Sequence, residues 1–195
     1  MTVSRETEEK LAEYVTLLTE ENERQNLISK SSVDAVWSRH IEDSLQLLDH
    51  APLDRHWLDI GSGAGLPGIV LAIAGVKKIT LVEPRRLRTE FLEACREKLE
   101  LRNVTVVTGK AENLSGRFDV ITARAVAALS KLFAIASPLI SPTGQWVLPK
   151  GRSAAKELEE ARVTWQGDFR LEPSRTDPDA RILVARGVRR RAGRG

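Results

Sequence analysis

The sequence has little cysteine and histidine, and it contains no long hydrophobic run. A single cysteine, Cys95, excludes an internal disulfide and any metal site built from cysteine alone. The three histidines are scattered without the spacing of metal ligands, so we expect no metal. The longest apolar stretches, 68–75 and 126–140, are too short or too interrupted to span a bilayer. The first residues also lack the pattern of a secretory signal, and we therefore expect a cytoplasmic protein without membrane contact.

The first 60 residues contain few basic side chains, and the remainder of the chain contains more basic than acidic ones. Residues 1–60 contain 6 basic and 13 acidic side chains, whereas residues 61–195 contain 24 basic and 14 acidic ones. Arginine outnumbers lysine 21 to 9, and its planar fork suits phosphate oxygens and base edges. The basic part is therefore compatible with a polyanionic partner. A solvated surface that is merely rich in arginine explains the charge equally well.

The hydrophobic pattern changes near residue 53. Helical periodicity over 6–24 and from about 32 to Pro52 predicts two helices, which we assign to an N-terminal helical cap, 1–52. Short β-branched runs then alternate with helical segments, which indicates an α/β fold with a mostly parallel sheet over 53–187. Two final strands without a helix between them predict an antiparallel hairpin and a seven-stranded sheet. Residues 188–195 are basic and contain glycine, so we expect a disordered tail. The predicted strands are 56–60, 79–83, 104–108, 118–122, 145–148, 165–171 and 181–186.

A glycine-rich turn follows the first predicted strand. Gly63-x-Gly65-x-x-Gly68 fits the dinucleotide fingerprint, so an NAD-dependent reductase is one interpretation. Asp59 at the strand tip argues against it, because a carboxylate repels a pyrophosphate but favours the ammonium and sulfonium groups of S-adenosylmethionine. Glu83 ends the next strand and can accept hydrogen bonds from the ribose hydroxyls of either cofactor. The polar loop 109–113 follows the third strand, where adenine recognition is expected.

Several motifs together resemble one family, the bacterial methyltransferases that modify a guanine at N7 in 16S ribosomal RNA, also called glucose-inhibited division protein B. The resemblance covers nearly the whole chain. One departure is a Glu-Asn pair, Glu21-Asn22, where the family usually has Trp-Asn. The motifs are NLIS at 26–29, RHIEDS at 39–44, LDIGSGAGLPGI at 58–69, LVE at 81–83, DVITARA at 119–125 and KG at 150–151.

The resemblance implies a Rossmann-like class I methyltransferase fold with S-adenosylmethionine as the methyl donor. It further implies 16S ribosomal RNA as the substrate. We expect the acceptor to be a folded loop within a small-subunit particle, because sequence-specific RNA recognition mostly uses accessible, unpaired bases, and we expect a monomer. Candidate substrate-binding residues are Arg39, His40 and Lys150. The candidate donor-binding residues are Asp59, Gly61, Gly63, Gly65, Leu66, Glu83, Ala111, Glu112 and Arg124.

Arg124 is the candidate catalytic residue, with a positioning role. Guanine N7 has an in-plane lone pair and no hydrogen, so its attack on a methyl group needs no general base, and catalysis rests mostly on alignment. Alternatives remain for each residue: Arg124 as a surface arginine paired with Glu112 or Asp119, His40 as a buried structural histidine, and Lys150 as part of an ordinary turn. A non-catalytic RNA-binding or assembly factor also remains open beside the reductase.

Overall fold

The computed structural model describes residues 3–192, except for the side chains of Lys30 and Ser31. Seven strands form one sheet in the order β3-β2-β1-β4-β5-β7-β6. All pairings between β3 and β5 are parallel, and β7 runs antiparallel between β5 and β6. The predicted seven-stranded, mostly parallel sheet is therefore confirmed. The strands are β1 His56–Ile60, β2 Lys78–Glu83, β3 Val104–Thr108, β4 Phe118–Ala123, β5 Ile140–Lys150, β6 Trp165–Pro173 and β7 Arg181–Arg190.

The strand order reverses on either side of β1. From β1 the chain proceeds to β2 and β3 in one direction, and then to β4 and β5 in the other. In such sheets, ligands bind in the crevice at the carboxyl ends of the strands where the order changes. The ends of β1, β2 and β4 therefore mark the place for a site.

Helices cover both faces of the sheet. In α1, Ser4 caps the first turn by accepting from the backbone N–H of Thr7, and Leu11, Tyr14 and Leu18 form its buried face. No helix within residues 3–192 is both long and apolar enough to cross a bilayer. The α-helices are α1 Arg5–Gln25, α2 Lys30–Val33, α3 Asp43–Leu45, α4 Gly68–Ile73, α5 Arg86–Lys98, α6 Leu129–Ala136 and α7 Ala154–Arg162.

The second predicted helix is broken into four short segments. Between α2 and α3 the chain forms a π-helix, Trp37–Glu42, and α3 continues into a 3₁₀-helix, Gln46–Asp49. The Ser44 hydroxyl donates to the carbonyl of His40, which a regular helix would use within its own ladder. π-helical turns widen the backbone and occur often at functional sites.

The N-terminal helices share one hydrophobic core with the sheet. Tyr14 and Ile41 belong to the same buried cluster as Trp57 and Ile69, on the face that α4 and α5 also cover. On the other face a second cluster surrounds the Phe133 ring. The N-terminal segment is thus packed directly beside the strand ends named above.

The expectation of a disordered tail from residue 188 is wrong for its first residues. β7 continues through Arg190, whose guanidinium lies 5.4 Å from the ring centre of Trp165, and the N–H of Arg191 donates to Thr164. Backbone pairing with β6 and this cation–π contact hold residues 188–190 in the strand. The sequence there has no hydrophobic alternation that would predict a strand. Residues 193–195 lie outside the described part of the chain.

Candidate active site

The glycine-rich turn joins β1 to α4 and bends over the end of β2. Gly61, Gly63 and Gly65 have φ angles of 66°, 54° and 89°, a region that side chains with a Cβ rarely occupy. The N–H groups of Gly61 and Ser62 both donate to the carbonyl of Val82. The turn is therefore fixed to the neighbouring strand. Leu66 is buried within it.

Asp59 supports this turn from beneath. Its side chain is fully buried, and Oδ2 accepts from the N–H of Gly68 at 3.2 Å. A Cβ on Gly68 would lie 2.6 Å from that oxygen, so only glycine fits there. Oδ1 of Asp59 has no partner among the described residues, and neither has Oγ1 of Thr122 on the adjacent strand. Burial raises the pKa of Asp59 to about 7.

Glu83 connects the turn to the loop after β2. Its Oε2 accepts from the N–H of Gly63 and its Oε1 from the N–H of Arg85, each at 3.0 Å. Each oxygen keeps a second lone pair, so the carboxylate can still accept hydroxyl donors. Arg88 lies 4.0 Å from Oε2 and close to Gly63. Sequence reasoning did not place Arg88 in this site.

The loop after β3 is bonded to the backbone of Glu83. The N–H of Gly109 donates to the carbonyl of Glu83, and a 3₁₀-helix, Ala111–Asn113, follows. Ala111 is buried, whereas Glu112 is exposed. The structure thus brings the predicted adenine loop next to Glu83.

Tyr14 reaches the glycine turn from α1. Its side chain is fully buried, and its hydroxyl donates to the carbonyl of Ala64 at 2.7 Å. Burial holds the pKa of this phenol well above its ordinary value, so it remains a donor. The apolar periodicity of α1 placed Tyr14 in a core, but no signal in the sequence links it to a turn 50 residues away.

Arg124 extends from the end of β4 and meets two side chains of the N-terminal segment. Its Nη1 lies 3.0 Å from Nδ1 of His40 and 3.9 Å from Oδ2 of Asp43. The proposed pairing with Glu112 or Asp119 is not present, since Asp119 bonds to His56 and Ser141 instead.

The contact between Arg124 and His40 fixes the state of the imidazole. Arginine has only donors, so Nδ1 of His40 must accept and the proton lies on Nε2. Burial, reinforced by the Arg124 charge, lowers the pKa of His40 to about 4. Nε2 is itself buried and has no acceptor among the described residues. His40 is therefore a neutral ring with one unused N–H.

A cavity of about 1070 Å³ opens beside Arg124. Arg39, His40 and Lys150 all line it, so the three predicted substrate residues come together. Lys150 is only 11% exposed, and its Nζ binds Oε2 of Glu157 at 3.0 Å. Arg39 is exposed. Asp43, which belongs to the same sequence motif as Arg39 and His40, also lines the cavity. Sequence reasoning missed other lining residues: Glu157, Ser174, Thr176 and Arg181.

The cavity adjoins the glycine turn. Val126 lines the cavity and lies directly over Gly61. A Cβ added to Gly61 would lie 2.7 Å from Cγ2 of Val126. Residues 3–192 contain no cluster of three or more His, Cys, Asp or Glu side chains that could hold a metal ion. The arrangement can therefore place a small donor molecule on the turn and a second molecule in the cavity next to it.

Solved structures share this fold. The ribosomal protein L11 methylase of Lactobacillus delbrueckii subsp. bulgaricus superposes with a TM-score of 0.58 at 18% identity, over 76% of this chain and 77% of that one. The TYW2 protein of M. jannaschii, solved with AdoMet, gives a TM-score of 0.56 at 14% identity, over 75% of this chain and 73% of that one. At these identities the likeness concerns the fold alone.

Sequence relatives are much closer. Over 193 residues the chain is 48% identical to the ribosomal RNA small subunit methyltransferase G of Zymomonas mobilis subsp. mobilis, covering 94% of this chain and 87% of that protein. The protein of the same description from Cereibacter sphaeroides is 44% identical, covering 95% of this chain and 93% of that one. Residues 7–174 match the GidB family, described as rRNA small subunit methyltransferase G. With the fold, the glycine turn and its neighbouring cavity in agreement, this chain belongs to the rRNA small subunit methyltransferase G family.

Proposed function

We propose that the protein transfers the methyl group of S-adenosylmethionine to N7 of one guanine in 16S ribosomal RNA. The observation that carries this proposal is the direct contact between the glycine turn and a cavity large enough for a nucleobase, with Arg124 lining that cavity. Family membership supplies the donor and the class of acceptor. No observation favours the reductase or the non-catalytic RNA-binding factor.

The residues of the turn fit this donor. When bound, S-adenosylmethionine supplies an electrophilic methyl group on a positively charged sulfur. Gly61, Gly63 and Gly65 have no side chains, so the donor could lie directly against the backbone of the turn. Leu66 closes the turn. Asp59 has an unpartnered buried oxygen that suits a cationic amine at this point.

The ribose and adenine would lie along the ends of β2 and β3. Glu83 would accept from the ribose hydroxyls with its remaining lone pairs. Ala111 and Glu112 would border the adenine, since their loop is hydrogen-bonded to Glu83 through Gly109.

The acceptor guanine would occupy the cavity. There this chain aligns the guanine and supplies no general base. N7 attacks with its own lone pair, and no proton leaves it. Arg124 holds its place through His40 and Asp43, so its guanidinium can orient the base or an adjoining phosphate. Arg39 and Lys150 add positive charge around the cavity for the RNA backbone. Arg124 thus acts as the positioning residue.

RNA in a small-subunit particle is the proposed acceptor, and the protein acts as a monomer. Residues 1–52 would serve as the cap over the donor turn, a role that the Tyr14 contact supports.

The arginines at the end of β7 lie at the sheet edge opposite the cavity, because β7 is antiparallel to β5. There they can bind RNA phosphates without regard to sequence.

Methyl-labelled S-adenosylmethionine and small ribosomal subunits from cells that lack the enzyme provide the test. We expect label in 7-methylguanosine at a single position of 16S ribosomal RNA, identified by mass spectrometry of nucleosides and of fragments. Label in another nucleoside would overturn the acceptor assignment. Absence of label from both particles and protein-free RNA would overturn the activity.

A further inference from the structure

The cavity has a donor end and a distant end. Val126 marks the donor end, because it lies against Gly61. The distant end is formed by the connection between β6 and β7, which belongs to the side of the sheet beyond β5 and away from β1. Thr176 of that connection donates to Oδ1 of Asp43 at 2.9 Å. Asp43 is therefore bonded to the distant end through Oδ1, while its Oδ2 faces Arg124.

The two oxygens of Asp43 differ in what they bind. Oδ1 accepts from both Thr176 and Nε2 of Gln46, at 2.9 Å and 2.8 Å, which uses both of its lone pairs. Oδ2 lies 3.9 Å from Nη1 of Arg124, beyond hydrogen-bond distance, and no other described donor reaches it. The carboxylate is thus fixed in orientation by Oδ1, while Oδ2 makes only a long ion pair with Arg124 and can still accept a hydrogen bond.

The other carboxylates of the cavity lack this combination. In Glu157, Oε2 accepts from Lys150 and Oε1 accepts from Ser153, so both oxygens are engaged. Asp177 is exposed to solvent at the mouth of the cavity. The Asp43 side chain is 19% exposed and faces Arg124. Within the described cavity lining, Asp43 alone offers a sheltered, oriented carboxylate oxygen that accepts no hydrogen bond.

We propose that Asp43 determines specificity for guanine, its Oδ2 accepting a hydrogen bond from the exocyclic 2-amino group of the acceptor base. This inference rests on the proposed function, because it takes guanine N7 as the methylated atom. N7 and the 2-amino group lie on opposite edges of guanine. A base with N7 directed at the donor end therefore directs its amino group toward the distant end, to which Asp43 is bonded. Adenine has no amino group at this position.

This hydrogen bond strengthens as the reaction proceeds. Methylation at N7 gives the base a positive charge, which makes its amino hydrogens better donors. A carboxylate contact of this kind is stronger in the transition state than in the ground state and so accelerates transfer. It also offsets the unfavourable proximity of Arg124 to a base that is becoming cationic.

Inosine tests the contact, because it differs from guanosine only by lacking the 2-amino group. The substrates are particles reconstituted with 16S ribosomal RNA that was ligated to contain either guanosine or inosine at the mapped position. The measured quantity is the ratio of kcat/KM for label transfer to the two substrates. For the wild type we expect guanosine to be favoured about tenfold to a hundredfold, the range of one hydrogen bond to a charged group. For Asp43→Ala we expect the ratio to fall to within about threefold of unity.

Two control variants separate recognition from support of the structure. Thr176→Val removes a bond to Oδ1 but leaves Oδ2, so it should lower transfer to both substrates and keep the wild-type ratio. Asp177→Asn removes a charge at the cavity mouth and should also keep that ratio. Calorimetric titration with S-adenosylhomocysteine verifies that each variant is folded. If Asp43→Ala does not bind S-adenosylhomocysteine, Asp43→Asn is used in its place.

Three distinguishable results would overturn the amino contact, the specificity role of Asp43 or the proposed function. Equal transfer to guanosine and inosine by the wild type would exclude the amino contact. An unchanged ratio in the Asp43 variant, with both rates lowered equally, would make Asp43 only a support for Thr176 and Arg124. Failure of the wild type to label guanosine would instead overturn the proposed function.

Discussion

The hydroxyl of Tyr14 donates to the carbonyl of Ala64 at 2.7 Å, and this bond joins the first helix to the middle of the glycine turn. Both groups are buried, so the bond is protected from competing water. The N-terminal segment therefore takes part in shaping the donor site, in addition to any contact with RNA.

Tyr14→Phe removes this single bond and leaves a buried carbonyl without a donor. We expect the free energy of unfolding to fall by about 1–3 kcal/mol and S-adenosylhomocysteine to bind about threefold to tenfold more weakly. Chemical denaturation and calorimetric titration measure the two effects. Leu18→Ala, on the same buried face of α1, should reduce stability by about 2–5 kcal/mol but leave donor affinity within about twofold. Equal donor affinity in wild type and Tyr14→Phe would refute the link.

Asp59→Asn should have opposite effects on stability and on donor binding. The folded protein holds the pKa of Asp59 near 7, above its ordinary value of 3.8. The native state thus binds this proton more tightly than the unfolded chain, so wild-type stability falls as pH rises from about 4 to 7. Asparagine has no such loss, and we expect its Tm at pH 8 to exceed that of the wild type by about 3 °C or more. At pH 4 the difference should vanish.

The same substitution removes the negative charge that favours the donor's ammonium group. We expect wild-type donor affinity to increase as pH rises through about 7, while Asp59→Asn binds about tenfold or more weakly and without that increase. Calorimetric titrations between about pH 6 and 8 measure both. Asp34→Asn, which removes an exposed carboxylate, should behave as the wild type. A pH-independent donor affinity in the wild type would contradict the ionisation of Asp59.

Local patterns in the sequence were sufficient for the sheet and the glycine turn. The short strand-like runs predicted β1 and β3 with the observed bounds, β1 as a largely buried apolar segment and β3 as a β-branched edge strand. Gly61, Gly63 and Gly65 adopt the positive φ angles that make glycine informative in a turn. These features depend on residues within a few positions of one another.

Features that depend on distant contacts could not be predicted. The π-helix and the break after α2 follow from side chains such as Asp43 and Gln46, which bind a connection about 130 residues later. The continuation of β7 depends on pairing with β6, and its exposed arginines show no apolar alternation. Asp43 lies within a recognised motif, but the remaining accepting capacity of its Oδ2 is visible only when both partners of Oδ1 are known.

Arg124→Lys tests whether positive charge alone suffices at the end of β4. Lysine keeps the charge but lacks the planar fork that contacts His40 while facing the cavity. We expect label transfer to fall about a hundredfold. Arg117→Lys, at the other end of the same strand, should retain wild-type transfer. Full activity of Arg124→Lys would leave no positioning role for the guanidinium.

Gln46 connects the N-terminal segment to the β6–β7 connection. It is 1% exposed, donates to Asp43 and Ser174, and accepts from the N–H of Arg175. Gln46→Leu should therefore raise the KM for RNA about fivefold or more, with donor affinity unchanged. Gln145→Leu is a matched control, since it removes another buried glutamine that lies farther from the cavity. It should reduce stability comparably without raising the KM for RNA; equal KM values in the two variants would refute this role.

His40 should support Arg124 as a neutral acceptor and take no part in proton transfer. Because its pKa is lowered to about 4, its charge does not change between about pH 5.5 and 8. At saturating donor and RNA, we expect no inflection of kcat near the ordinary histidine pKa of 6.5. His40→Ala should lower kcat about tenfold, and His40→Asn, whose amide oxygen can accept from Arg124 in place of Nδ1, should restore most of it. An inflection near pH 6.5 that disappears in His40→Asn would instead show that ionisation of the imidazole controls kcat and would contradict its role as a neutral acceptor.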